Sequence, residues 1–372
     1  MLEKPLSRQP RKLKIIRQFT PNWFTVTMGT GVLALVLAPC RPLHPLAETV
    51  WIMNIALFVL CAGLYGAHWI MFPAEASRIF SHPVMPMFLG AIPMGLATII
   101  NGFVVFAHAY GVALPLWLLD AALSVAAGLA VPFAMITVQR HALEQMTAVW
   151  LLPVVACEVA AASAGGLAAH LPPAVAFNLV VAGYALWALS VPIAFSILTV
   201  LFLRLVLHKL PPPEMGVSSW LAVGPLGTGA LGLLALGRAA PAAFAGAGLG
   251  TAGLGTAGVV AQGLGLVGGL VIWAYGAWWL LLAAAMTLTH LPRRLPFNMG
   301  WWGFTFPFGV FILATNALAA QTRLGFFADT GRVCLGVFIC LWLLVASRTL
   351  AGAYRGHLFA APYLAPRAGE AD

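Results

Sequence analysis

Long apolar runs, each closed by a short polar or proline-marked break, recur along the chain from Thr20 onward. Ten reach membrane length, near 20–39, 48–72, 84–108, 112–138, 147–170, 174–207, 217–238, 260–289, 298–319 and 331–351. A helix crossing about 30 Å of hydrocarbon needs roughly 20 apolar residues, so each run predicts one span. Unpaired backbone amides are too costly in lipid for isolated strands, and a barrel would show short alternating segments instead. The predicted fold is an all-α polytopic membrane protein with ten transmembrane helices.

The runs alternate in character. The odd-numbered ones hold the special residues: Pro21 with Gly29 and Gly31, Pro86 and Pro93 with Gly90, Gly95 and Gly102, Pro153 with Gly165 and Gly166, Pro225 with Gly224, Gly227, Gly229 and Gly232, and Pro307 with Gly300, Gly303 and Gly309. The even-numbered runs are plainer, Pro132 and Pro192 apart. Glycine lets helix backbones approach closely, and proline bends a spanning helix. Five helical hairpins, each giving one bent, glycine-rich member to an inner ring around a central pore, satisfy this pattern. Loops are short, with two exceptions. Pro211 to Pro213 form a stiff link, and the low-complexity stretch from Ala239 to about Thr256 is expected to be a flexible connection into the eighth span.

Composition supports the same class: 62% of residues are hydrophobic and 8% charged, whereas a soluble domain carries about a quarter of its residues as charges. The cations set the expected orientation. Lys4, Arg8, Arg11, Lys12, Lys14 and Arg17 precede the first span. Arg78, Arg140, Arg204, Lys209, Arg293, Arg294, Arg348, Arg355 and Arg367 fall on the same side, against Arg41, Arg238, Arg323 and Arg332 opposite. This bias predicts cytoplasmic termini and accounts for the net charge of +9. The basic N-terminus abuts a span and lacks base-stacking aromatics, so it reads as an anchor to anionic lipid and not as a nucleic-acid site. No cleavable signal peptide is expected. The five cysteines are scattered without C-x-x-C spacing and read as small apolar residues.

Candidate chemistry is sparse. Histidines show no i, i+4 pair, and no phosphate loop or serine-nucleophile motif occurs, so the chain is expected to be no enzyme and to need no metal or cofactor. The acids placed well inside spans are Asp120 and Glu158, and an ionisable residue at membrane depth is a functional candidate. Asp120, near the start of the fourth span, is expected to accept bonds from the helix N-terminus. Glu158 lies mid-span among small residues, where it either titrates in a transport path or bonds to a neighbouring helix. In the ninth span a phase of about 100° per residue puts Phe304, Phe308 and Phe311 on one stripe, and Trp302, Phe306, Gly309 and Leu313 on the other. Phe306 is then either packing or an aromatic plug in a glycine-lined path.

Three motifs, in order, resemble one family: FTPNWFTVTMGTG from Phe19, HPVMPMFLGAIPMGLATIIN from His82 and FNMGWWGFTFPFGVF from Phe297. The chain is similar, over about residues 18–352, to the tellurite-resistance/dicarboxylate transporter (TDT) family, which includes malate permeases, sulfite efflux pumps and plant slow anion channels. The resemblance implies a basic segment 1–18, a ten-helix transport domain 19–352 and a cytoplasmic tail 353–372. It implies a homotrimer in a cell membrane, foremost a bacterial inner membrane, with one pore per subunit. It also implies transport of a small anion such as malate or sulfite, or a chloride or nitrate conductance, with the gate at Phe306. Candidate pore-lining positions are Gly29, Gly31, Gly95, Glu158, Gly229 and Gly309. A carboxylate in an anion path repels its substrate, so Glu158 is expected to be protonated, to face away, or to couple transport to a proton. A membrane sensor or scaffold would show no flux.

Overall fold

The computed structural model describes residues 12–246, 252–290 and 295–364. Ten long helices account for most of them: α1 (Phe24–Leu37), α2 (His44–Met71), α3 (Ala91–Val105), α4 (Tyr110–Thr137), α5 (Leu152–Ala168), α6 (Pro173–His208), α7 (Val223–Ala245), α8 (Ala252–His290), α9 (Phe306–Thr322) and α10 (Gly325–Arg355). No strand occurs among the described residues. Nine of the helical units are long and apolar enough to cross a membrane, and Pro21–Leu37 is a shorter apolar one. Each of the ten coincides with a predicted run.

Consecutive helices pair as five hairpins. The odd members contact one another in chain order, α1 to α3 to α5 to α7 to α9, and α9 meets α1 to close the ring. In the most apolar windows of the four longer odd units 72% to 89% of residues are buried, against 17% to 33% for the even ones. Val105, the last residue of α3, is the one large exposed hydrophobic residue on an odd helix, whereas the even helices expose many, including Ile70, Phe133 and Leu281. The odd helices are therefore the inner ring and the even helices its lipid-facing jacket.

Each inner helix is preceded by a 3-10 lead: Pro21–Trp23, Met85–Gly90, Ala148–Leu151, Pro213–Ala222 and Met299–Phe304. Pro93, Pro153, Pro225 and Pro307 all fall in the first turn of the α-helix that follows. There the missing N–H would have had no partner in the helix, so proline starts these helices instead of breaking them. This corrects the expected break at Pro307: the 3-10 lead ends at Phe304, Thr305 keeps right-handed helical backbone (φ −93°, ψ −71°), and α9 begins at Phe306 and runs on through the proline.

The jacket is tied to the ring by a repeated hydrogen bond. Trp51 of α2 donates to the Ile99 carbonyl of α3 (3.2 Å), and Trp117 of α4 to Ala160 of α5 (2.8 Å). Trp187 of α6 donates to Gly229 of α7 (2.9 Å), and Trp273 of α8 to the Thr315 hydroxyl of α9 (2.7 Å). In the last hairpin the direction reverses, and Trp302 of the lead reaches Thr349 of α10 (3.0 Å). Glycine makes room for such a ring: a Cβ on Gly102 would lie 2.0 Å from Trp51 Nε1.

The low-complexity stretch departs from expectation. It continues both neighbouring helices, to Ala245 and from Ala252, and only 247–251 lies outside the described residues. A Cβ on Gly258 would sit 2.9 Å from the Ala240 carbonyl oxygen, and one on Gly265 2.5 Å from that of Leu233. The small residues are what lets α7 and α8 pack backbone to backbone. Arg238, expected beyond the seventh span, consequently lies inside α7. Asp120 is buried well inside α4, with neither carboxyl oxygen bonded among the described residues, and takes no part in the helix N-terminus. Lys4, Arg8, Arg11, Arg293, Arg294 and Arg367 lie outside the described residues.

A Cβ on Gly165 of α5 would lie 2.6 Å from backbone atoms of Ala235 and Leu236 on α7. Gly165→Ala should therefore cost about 1–3 kcal/mol, read as a lower melting temperature in detergent. Gly63→Ala, where nothing lies within 4 Å, should leave melting unchanged or raised.

Candidate functional site

The five leads converge at one end of the ring on a cavity of about 360 Å³. Every inner unit contributes to its wall: Asn22, Thr25 and Met28 from the first, Phe88 from the second, Val149 and Leu152 from the third, Ser218 and Leu221 from the fourth, Met299, Gly300 and Gly303 from the fifth. His82, Glu214 and Asn298 add polar groups, and Pro362 of the C-terminal segment completes the lining. Among the described residues no lysine or arginine lines it. Apart from the Glu214 carboxylate on its exposed rim the described lining is neutral, and neutral dipoles hold a small anion weakly enough to let it leave again.

Phe306 opens α9, one turn of chain past Gly303, and is 2% exposed. Its fellow phenylalanines are committed to packing. Phe304 packs edge-on against Trp220 and Trp301, Phe308 against Trp220 and Phe338, and Phe311 stacks on Trp273. Among the described residues Phe306 has no such aromatic partner, so its ring is the one of the four not held by another.

The candidate glycines sit on seams between helices. A Cβ on Gly29 would lie 2.2 Å from Thr305 Oγ1, and one on Gly309 2.7 Å from Val32, which places both where α1 meets the start of α9. Gly31 abuts Thr98 and Asn54, and Gly95 abuts Thr27 and Phe58. These contacts account for the glycines by close approach alone.

Glu158 of α5 is fully buried and faces α7. Its Oε1 accepts from Thr228 Oγ1 (2.8 Å), its Oε2 is unpartnered among the described residues, and a Cβ on Gly229 would come within 3.4 Å of that oxygen. Thr228 Oγ1 also reaches the Gly224 carbonyl (2.8 Å). One hydroxyl proton cannot serve both acceptors. Glu158 does not line the cavity at the leads. Towards the opposite end, Arg238 borders a second cavity of about 530 Å³ with Gln262 and Gln321.

The C-terminal segment returns to the mouth of the ring. Phe359 stacks on Trp23 at 4.8 Å, the Ala361 amide donates to Gln18 Oε1 (2.7 Å), and the Tyr363 hydroxyl lies 3.2 Å from His68 Nε2. Both ends of the described chain thus meet beside the cavity, and Pro362 reaches its wall. No local pattern marks this return, because the docking partners lie hundreds of residues away. Asn22 and His82 did stand in the motifs, but their place on the wall depends on how the leads converge.

The pattern of the voltage-dependent anion channel family (SLAC1) matches residues 18–350. The chain belongs to this family. Similar proteins cover about nine-tenths of it. The sulfite efflux pump of Trichophyton rubrum is 37% identical over 346 residues, covering 90% of this chain and 91% of that one. The malic acid transport protein of Schizosaccharomyces pombe is 24% identical, over 89% and 77%. An uncharacterized transporter of Methanocaldococcus jannaschii is 25% identical, over 94% and 97%. This SLAC1 member is a multi-pass membrane protein of an anion-transport family, and its fungal and archaeal relatives do not single out a bacterial membrane.

At the mouth, Arg17 of the short helix Lys12–Arg17 donates to both carboxylate oxygens of Glu75 at 2.6 Å. These bonds hold Glu75 below the usual carboxylate range. A depressed carboxylate stabilises the fold above its unfolded value, and that stabilisation is lost as pH falls through the folded value. Glu75→Gln should therefore melt below wild type at neutral pH, with the gap closing on acidification below about pH 4.

Proposed function

We propose that this protein moves a small oxyanion of the sulfite class out of the cell along the axis of the inner ring. The observation that carries the proposal is similarity to sulfite efflux pumps over 90% of the chain, joined to a mouth built from all five inner units with no lysine or arginine in its wall among the described residues. The mouth is cytoplasmic, since Arg78, Arg140 and Lys209 follow the outer helices at that end. The test is counter-flow in proteoliposomes with labelled sulfite, malate, nitrate and chloride. Sulfite should exchange fastest. Faster malate exchange would move the substrate to the dicarboxylates, linear unsaturating current with chloride or nitrate would make the protein a channel, and no flux with any anion would end the proposal.

Phe306 is the gate in this scheme. It follows the last cavity residue of its lead, and its ring lacks the aromatic partners that fix its neighbours. Phe306→Ala should raise passive anion conductance by about tenfold, the effect of removing a barrier of about 1.4 kcal/mol. Wild-type conductance in that variant would remove Phe306 from the role.

Glu158 acts as a proton-carrying acid. A neutral Glu158 supplies the proton that the Thr228 hydroxyl lacks, and leaves no bare carboxylate beside an anion route. If its proton is coupled to transport, Glu158→Gln flattens the dependence of sulfite flux on pH. An unchanged profile would reduce Glu158 to a helix-to-helix contact.

A further inference from the structure

The cavity at the leads has a one-sided polarity. His82 lies between the 3-10 turn Ser77–Ser81 and the lead Met85–Gly90. Its Nδ1 accepts from the backbone amides of Val84 and Met85, both at 3.1 Å. An imidazole that accepts at Nδ1 carries its proton at Nε2, and among the described residues that Nε2 has no partner. Asn22 is spent in the same sense: its Oδ1 accepts from the Thr20 hydroxyl (2.6 Å), which leaves the Nδ2 protons without a partner among the described residues. The lead carrying Asn22 contacts the lead that follows His82, and both side chains line the cavity.

The other polar lining side chains, the Glu214 carboxylate on the rim apart, make local hydrogen bonds. Asn298 accepts from the Gly300 amide (2.8 Å) and donates to the Glu214 carbonyl (2.9 Å). Thr25 and Ser218 turn their hydroxyl protons to the carbonyls of Asn22 and Met215, both at 2.6 Å. Among the described residues the side-chain N–H groups left over in the wall are those of Asn22 Nδ2 and His82 Nε2, together with the second Nδ2 proton of Asn298.

We propose that Asn22 Nδ2 and His82 Nε2 form an oxyanion-loading site at the mouth of the ring, which receives the substrate before it reaches Phe306. The site rests on the oxyanion reading above and names the residues that do the recognising. Two neutral donors suit a transporter: they select for acceptor oxygens, and they lack the charge that would hold an anion too long. His82 stays neutral in this role. Burial lowers its affinity for protons, and the two amides at Nδ1 point their own protons at the place a second ring proton would occupy. The titratable neighbours are Glu214, exposed on the cavity rim, and Arg78 on the preceding 3-10 turn. The residue next to Pro362 on the C-terminal segment, Tyr363, is paired with His68.

Equilibrium binding of sodium sulfite to the purified full-length protein, by calorimetry, tests the site without needing transport. His82→Asn keeps an acceptor where Nδ1 stood and removes the outer donor, whereas His82→Gln puts an N–H near the Nε2 position and gives up the cap. Loss of a hydrogen bond to a charged ligand predicts Kd raised about tenfold or more in His82→Asn with melting near wild type. His82→Gln should recover most of the affinity while melting lower. Asn22→Asp, the same size with acceptors in place of donors, should bind more weakly still. Wild-type affinity in His82→Asn, or loss of affinity that tracks melting temperature across both His82 variants, would overturn the site and reduce His82 to a cap. The two proposals fail separately: sulfite flux with binding indifferent to His82 and Asn22 removes the loading site alone. Binding that depends on them without flux removes the transport reading alone.

Discussion

Helices in a membrane gain nothing from hiding apolar surface from lipid, so this bundle depends on how closely its backbones can approach. That constraint explains where glycine stands. On the inner ring, Gly29, Gly165 and Gly309 occupy seams where even a methyl group would collide with the next helix. Between α7 and α8 the same requirement is met over several turns by Gly237, Gly258 and Gly265. Close approach brings backbone carbonyls within reach of the jacket, and the tryptophans use it. Trp51, Trp117 and Trp187 each carry a donor to an inner-helix carbonyl, so stiff side chains of the outer layer fix the register of the inner one.

A ring sealed by backbone contact leaves little room for charge, and the chemistry follows from that scarcity. Buried ions in lipid need partners, and the described spans supply few. Glu158 finds Thr228, while Asp120 finds none among the described residues. The cavity at the leads instead uses amides, hydroxyls and an imidazole whose acceptor atom is already taken. The cations gather outside it, as in the pair of Arg17 with Glu75. The described cations thus stand apart from the cavity wall, whose close-range groups are mostly dipoles.

Much of this was legible in the chain because bilayer thickness imposes length on each element, and the ten apolar runs carry that length openly. The alternation of glycine-marked and plain runs separated ring from jacket for the same reason: it follows from what each helix must touch. Reading failed where one local composition serves two purposes. The alanines and glycines from Ala239 onward look like a linker, yet up to Ala245 they continue α7, where Gly258 of α8 packs against Ala240 and Pro241, and the difference lies in a partner helix that the stretch itself does not encode. Pro307 bends a helix from its interior but begins one from its first turn, and the 3-10 leads that decide this have no strong sequence mark. The stripe of Phe304, Phe308 and Phe311 was visible because it spans single turns, and their aromatic partners confirm them as packing. The tryptophan bonds and the return of Phe359 to Tyr363 join distant segments, which no periodicity records.

The joining of Gln18 to Ala361 has a consequence for how the protein comes into being. The wall of the mouth includes Pro362, and the ring closes only when α9 finds α1, so the conduit has no complete circumference until nearly the whole chain has left the ribosome. A truncated product lacks the means to form the finished passage, and a bilayer receiving such fragments is spared a half-built hole.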